Sequence, residues 1–228
     1  MITECIVLAG GLGTRLRSVV ADKPKCMAPV GKHPFLYYLL KYLQEQGITH
    51  VILSLGYKSE QVIDWCQEAN LDIEISFVIE EEPLGTGGGI LLAMSKVKGN
   101  EFFITNGDTF FGVPLNEFYN FHQQKQSALS LALKPMYQFE RYGSVELDEN
   151  DRITAFLEKQ FREEGLINGG IYLTSKQYLQ SLGFPQQFSF EKEVLEKSKA
   201  LYGFISDTYF IDIGVPDDYA RVQTELGS

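Results

Sequence analysis

Apolar residues fall along the chain in short continuous runs that alternate with segments of helical period. Residues 3–9 form the first run, TECIVLA, which stops at a glycine cluster, as a strand buried on both faces does. Similar runs at 50–54, 73–80, 101–105 and 128–133 predict further strands. Helical patterns fall between them at 35–46, 59–69, 87–97 and 114–124, the first stopped by Gly47. Strand alternating with helix implies right-handed crossovers and a mainly parallel sheet covered on both faces. Ligands of such sheets bind beyond the carboxyl ends of the strands.

After Leu133 the rhythm changes. Shorter strand-like pieces at 142–147, 153–158 and 166–173 suggest an antiparallel insertion forming one wall of a cleft. Helices are expected at 175–181, 190–197 and 216–226, with a last strand at 209–213. No repeat or linker interrupts the 228 residues, so one α/β domain is expected. Within it, about 1–133 forms one portion and 134–228 the insertion and closing elements.

No apolar stretch approaches the length of a bilayer span, and no signal peptide is expected at the N-terminus, so the chain reads as cytoplasmic with no membrane partner. Cys5, Cys26 and Cys66 are odd in number and lack CxxC spacing, which argues for reduced, buried thiols over disulfides or zinc. His33, His50 and His122 show no metal-ligand spacing, and Trp65 reads as packing. The net charge of −10 opposes a nucleic-acid partner. Residues 5–44 nevertheless carry +5 and the rest −15, which suits a local site for a small polyanion.

The first strand runs directly into GGLGTRL at 10–16. Its glycines let backbone amides approach phosphate oxygens, and Arg15 can add a guanidinium fork. GxxxxGK[ST] is absent and Leu16 stands at the last glycine position of a GxGxxG fingerprint, so kinase and dehydrogenase readings lose support. Asp108 and Asp212 each end a predicted strand, where two converging carboxylates would suit magnesium. EEEPLGTGGG at 80–89 follows another strand; its glycines could admit a flat base against the backbone, and the helix start offers N–H donors.

Taken together, LAGGLGTRL at 8–16, KPKCMAPV at 23–30, EPLGTGG at 82–88, NGD at 106–108, YGSV at 142–145, FLEK at 156–159, NGGIY at 168–172 and DIGVPDDYA at 212–220 resemble the signature of sugar-1-phosphate nucleotidylyltransferases. LRSVVADKPK and GKHPFLYYLL are most similar to the D-glycero-D-manno-heptose 1-phosphate guanylyltransferase branch. The resemblance implies a Rossmann-like three-layer α/β sandwich, with a mainly parallel mixed sheet and a small antiparallel insertion. It implies transfer of a nucleotidyl group from GTP to D-glycero-D-manno-heptose 1-phosphate, giving GDP-heptose for surface polysaccharide or S-layer glycan, and a possible homo-oligomer.

By resemblance, Arg15 holds the leaving pyrophosphate, Lys25 reaches the α-phosphate, and Asp108 with Asp212 holds magnesium. Leu8, Ala9, Gly10, Gly11, Gly13, Thr14, Gly85 and Thr86 complete the nucleotide site. Glu158 and Asn168 take sugar hydroxyls, Gly143 offers a backbone group, and Lys159 takes the sugar phosphate. Cys26 replaces the proline common after this lysine, which puts the stiffness of the loop in question. Guanine offers two adjacent donors, which an ionised carboxylate binds and an amide side chain does not match; Glu80 is the expected reader, with Glu81 and Glu82 as competitors.

Rival readings are a mannose-1-phosphate guanylyltransferase, a relative using UTP or dTTP, a glycosyltransferase and a regulatory paralogue that binds nucleotide sugars. A glycosyltransferase would usually carry a DxD motif, and NGD followed by Thr109 and Phe110 supplies none. A regulatory paralogue should have lost charges that are all present: Arg15, Lys25, Asp108, Lys159 and Asp212.

Overall fold

In the computed structural model, which describes residues 2–11, 20, 22–198 and 200–227, the apolar runs form the centre of the sheet. Strand β1 (Glu4–Leu8) buries Cys5 and Val7 on one face and Ile6 on the other. Both faces are covered, so the strand has no polar alternation. Short β2 (Pro29–Val30) and β3 (His33–Pro34) lead into α1 (Phe35–Glu45). The order continues β4 (His50–Leu55), α2 (Ser59–Glu68), β5 (Glu74–Ile79), α3 (Gly85–Met94), β6 (Glu101–Asn106), β7 (Thr109–Phe111) and α4 (Leu115–Lys125). Then come β8 (Leu129–Phe139), β9 (Ser144–Leu147), β10 (Ile153–Leu157), β11 (Arg162–Ser175), α5 (Lys176–Ser181), β12 (Leu201–Ile205), β13 (Phe210–Asp212) and α6 (Pro216–Glu225).

Strands β6, β1, β4 and β5 lie side by side and parallel. Beyond β6 the sheet turns antiparallel through β11, which pairs with β6 along Ile171–Ser175 and with β9 at Leu166 and Ile167. β8 lies along the other edge of β11, and β12 closes that edge parallel to β8. The result is the expected layered α/β fold. One core cluster, with Leu36, Leu39, Val51, Leu53 and Phe118, lies under α1, α2 and α4. The other, with Ile52, Ile90, Phe102, Leu131 and Leu195, lies under α3 and α5 on the opposite face.

Most expected elements appear within two residues of their expected ends. Among the strands, the exceptions come from pairing with distant chain. The strand expected at 128–133 continues to Phe139 because β11, itself beginning at Arg162, pairs with it along that length. Tyr137 on this extension is 68% exposed, so no buried face marked it in the sequence. β7 and β12 are three and five residues long and were not anticipated. The helix expected at 190–197 is a single π-helical turn over Glu191–Leu195. α3 begins at Gly85, two residues early, and ends at Met94.

At the amino ends of the parallel strands a buried polar cluster ties the layers together. Glu4 accepts bonds from the backbone N–H groups of Lys98 (2.8 Å) and Gly99 (2.5 Å). His50 Nδ1 lies 2.8 Å from the same carboxylate, and His50 Nε2 lies 2.9 Å from Ser76 Oγ. Burial pushes the Glu4 carboxyl up, but the two backbone donors and His50 outweigh it and hold it below the ordinary glutamate range. The stability this contributes is present above the ordinary pKa and is lost as pH falls through the depressed one. Glu4→Gln turns an amide NH2 toward backbone donors and is expected to cost about 1.5–3 kcal/mol. Urea unfolding should show this gap at neutral pH and show it closing in acid.

Candidate active site

The parallel strands end on one rim. Leu8 ends β1 and Ala9 to Gly11 follow it, Gly56 and Tyr57 follow β4, Glu80 follows β5, and Asn106 to Asp108 leave β6; these line a cavity of 610 Å³. The expected residues Leu8, Ala9, Gly10, Gly11, Lys25, Glu80, Gly85, Thr86 and Asp108 are all on its wall. Gly13, Thr14 and Arg15 lie outside the described residues.

Lys25 opens a 3-10 turn, Lys25–Met27, closed by Met27 N–H to Pro24 O at 2.8 Å and Ala28 N–H to Lys25 O at 3.0 Å. Cys26 and Met27 are buried beneath it. Burial pushes the Cys26 thiol up to about 12, with Cys66 and Asp108 acting in the same direction, so it is neutral and serves as an apolar anchor. Packing thus holds the turn where a proline would have held it through φ.

The turn directs Lys25 Nζ to 2.5 Å from Asp108 Oδ2 and 3.5 Å from Asp212 Oδ1. The aspartates are neighbours because β7 and β13 form a two-stranded ribbon that pairs Thr109 with Asp212, while Ile213 N–H donates to Asp108 O at 3.0 Å. Burial, and next the charge of Asp108, raise the Asp212 carboxyl above the usual range; Lys25 and the Gly214 N–H oppose them. Two hard carboxylate oxygens beside phosphate-sized space fit a magnesium ion, which commonly takes one or two carboxylates and completes its shell with phosphate and water. Among the described residues no group of three or more His, Cys, Asp or Glu side chains could hold a metal, so these two are the candidates.

A second cavity of 640 Å³ shares Lys25, Asn106, Asp108 and Glu191 with the first. The antiparallel insertion forms its far wall and brings Gly143, Glu158, Lys159 and Asn168 onto it, with Asp212 opposite. Glu158 and Lys159 follow directly after β10 and are exposed. Asn168 sits where the register of β11 shifts against β8, and Gly170, at φ +75°, supplies the left-handed backbone of that bulge. Asn168 is partly committed within the protein: its Nδ2 donates to Tyr172 OH and its Oδ1 accepts from Gly170 N–H, both at 2.9 Å.

The glycines of α3 have a different use from the one expected. A Cβ on Gly88 would stand 2.1 Å from Gln186 O, and one on Gly87 would stand 2.2 Å from the Phe188 ring. The helix is glycine-rich because a distant segment, 186–188, lies against it, with Phe188 N–H donating to Leu84 O and Gly87 N–H to Phe188 O, both at 3.0 Å. Gly85 and Thr86 still reach the cavity. The Thr86 hydroxyl, however, donates to Glu191 Oε2 at 2.6 Å and accepts from Phe190 N–H at 2.9 Å.

Glu191, on the wall of both cavities, was missed by sequence reasoning, as were Arg141 and Glu196. Arg141 precedes YGSV and pairs with buried Asp218 at 2.5 Å; adjacency to the motif was the signal available for it. Glu80 is half-buried: Oε2 accepts from Leu84 N–H at 2.9 Å and Oε1 from Ser54 Oγ at 3.4 Å. Glu81 lines the same cavity, and Glu82 is not among its lining residues.

A cleft beyond the ends of parallel strands, crossed by a lysine and two aspartates, defines a phosphate-handling α/β enzyme. The chain belongs to the nucleotidyl transferase family, whose model matches residues 4–228. It is 49% identical to the D-glycero-alpha-D-manno-heptose 1-phosphate guanylyltransferase of Aneurinibacillus thermoaerophilus, over 98% of each chain. The enzyme of the same name from Campylobacter jejuni is 46% identical over 95% of this chain and 96% of its own. Among solved structures, HddC from Yersinia pseudotuberculosis complexed with GMP-PN superposes with a TM-score of 0.90 at 37% identity, covering 99% of this chain and 100% of that one. No helix among the described residues is long and apolar enough to cross a membrane.

Gly88→Ala forces backbone to move in segment 186–188 and is expected to cost about 1–3 kcal/mol. Thermal unfolding should show the loss, and protease cleavage near Gln186 should rise with it.

Proposed function

We propose that this enzyme transfers the guanylyl group of GTP to D-glycero-D-manno-heptose 1-phosphate, releasing pyrophosphate and GDP-heptose in the cytoplasm. The observation that carries the reading is the meeting of two cavities at Lys25, Asn106, Asp108 and Glu191. A nucleotide in one and a sugar phosphate in the other would bring the acceptor phosphate to the α-phosphorus. Full-length identity near one half to two guanylyltransferases supports the substrate pair.

In this reading an oxygen of the sugar phosphate attacks the α-phosphorus of GTP as its bond to the pyrophosphate oxygen breaks. Both reactants are anions, so positioning and charge neutralisation supply most of the acceleration. Lys25 takes the α-phosphate, Lys159 the incoming sugar phosphate, and Arg15 the departing pyrophosphate. Leu8, Ala9, Gly10, Gly11, Gly13 and Thr14 cradle the nucleotide with Gly85 and Thr86, while Gly143, Glu158 and Asn168 hold the sugar. Residues up to about 133 form the nucleotide portion, and 134–228 form the sugar portion with its closing strand and helix. Magnesium bound by Asp108 and Asp212 supplies charge neutralisation at the phosphate oxygens.

Pyrophosphate release measured across four nucleoside triphosphates and a panel of sugar 1-phosphates tests the reading. GTP with the heptose phosphate should give the highest kcat/KM, and a preference for another pair would overturn it. Asp108→Asn and Asp212→Asn should each lower turnover about 10²–10³-fold. The raised Asp212 pKa means that its ionisation opposes folding above the ordinary aspartate range. Asp212→Asn should therefore leave the melting temperature of the metal-free protein equal or higher at neutral pH, with any gain vanishing in acid.

Glu80 reads guanine in this proposal, and its bond to Leu84 N–H orients the carboxylate while leaving lone pairs for the base. Glu80→Gln keeps an acceptor for Leu84, so folding should survive. Its kcat/KM for GTP should fall about tenfold or more, and its preference over UTP and dTTP should narrow. An unchanged nucleotide preference would pass the role to Glu81 or to the backbone.

A further inference from the structure

A groove of 1010 Å³ lies between the far end of β8, strand β13 and the start of α6. Three large aromatic side chains on its wall stand in solvent: Tyr137 is 68% exposed, Phe161 63% and Tyr209 37%. Among the described residues only two other large hydrophobic side chains, Ile79 and Ile205, are comparably exposed. Single exposed hydrophobic residues are ordinary, but three rings gathered on one groove mark a contact surface. At roughly 200 Å² per ring they present on the order of 300 Å² of aromatic surface.

Strand pairing explains why the chain does not cover them. β8 pairs with β12 only as far as Leu133, and β11 pairs with β9 only at Leu166 and Ile167. Beyond these points the two strands hold each other alone, as a ribbon, and a two-stranded ribbon is marginally stable in water. Addition of a further strand is obstructed on both edges. Leu133 O accepts from Ser206 N–H, so Pro135, two residues on, presents the same edge without an N–H. The β11 strand carries Glu163 and Glu164, whose charges oppose edge pairing. A partner must therefore meet the ribbon through its side chains.

The charges beside the rings are already paired: Lys134 with Asp207 at 2.6 Å, and Asp218 with Arg141 at 2.5 Å and Arg221 at 3.3 Å. Such a rim offers little to a polyanion or a polycation and suits a surface like itself. The chain carries −10, so two copies repel over most of their surface, and a patch whose charges neutralise one another is where they can close. Projecting rings and the hollow beside them share one patch, as an isologous two-fold contact requires.

We propose that this groove is the interface of a two-fold homodimer, in which the Tyr137 and Phe161 rings of each copy enter the groove of the other. The rings form its apolar centre and the paired charges its polar rim. A stable dimer takes about 800 Å² from each partner. The rings supply over a third of that, and half-buried Met136 and Phe210 extend the apolar centre.

Sedimentation velocity of the full chain over about 1–100 µM tests the proposal. The wild type is expected to reach twice the chain mass within that range. Tyr137→Asp and Phe161→Asp should each weaken the dimer about 30-fold or more. Both side chains are exposed in a single copy, so the melting temperature of the dilute, monomeric protein should not change. Ile79→Asp is the control: Ile79 is 48% exposed on β5, at the opposite end of the sheet, and its replacement should leave the dimer intact. A wild type that stays monomeric throughout overturns the proposal. So does a dimer that both groove variants leave unchanged, or that Ile79→Asp weakens equally.

Discussion

The structure depends on holding two carboxylates, Asp108 and Asp212, side by side with one ammonium between them. The two aspartates are 104 residues apart in sequence, Asp108 in the turn between β6 and β7 and Asp212 at the end of β13. Unscreened, they repel, and the second is three-quarters covered by protein. Lys25 offsets the repulsion, and the short ribbon of β7 and β13 fixes the spacing through backbone bonds that are insensitive to side-chain charge. The cluster is therefore pre-organised at the cost of an Asp212 carboxyl whose ionised form the fold disfavours. Such a site carries net negative charge and attracts cations, as an enzyme that must bring phosphates together requires.

A second set of constraints joins the two cavities. Segment 186–191 lies on the start of α3, and Thr86, Ser189 and Phe190 together position Glu191 at the shared wall. Four glycines would weaken an isolated helix; here close backbone approach compensates, and bulkier residues would push the segment away. Chain from the second half of the protein thus shapes the start of a helix in the first half. The same contact means that the two cavities share a structural part, since Glu191 lines both.

Much of the parallel half could be read from hydrophobic pattern alone. β1, β4 and β6 are buried on both faces, and their apolar runs are unbroken for that reason. Asp108 and Asp212 could be named because they follow predicted strands, where an α/β sheet places its ligands, whereas Lys25 and Lys159 were named through motifs that resemble those of the family. Sequence therefore determined the fold class, the rim on which the site stands and the charges present there. It also identified Glu80 as a carboxylate at the end of β5, which the structure places at the edge of the sheet.

What tertiary structure decided is whatever depends on the partner a residue meets. The length of β8 follows from β11 and could not be read from exposed residues such as Tyr137. Gly87 and Gly88 look like a loop for a ligand until Gln186 and Phe188 are placed against them. Thr86 and Asn168 are polar residues in the motifs of the expected site, yet part of their bonding capacity is used inside the protein. Glu191 lacked any local mark because its position comes from a π-helical turn and from Thr86, 105 residues away. Periodicity records which face of a segment is buried; which groups remain free to bind is decided by long-range contacts, and those exist only once the chain has folded.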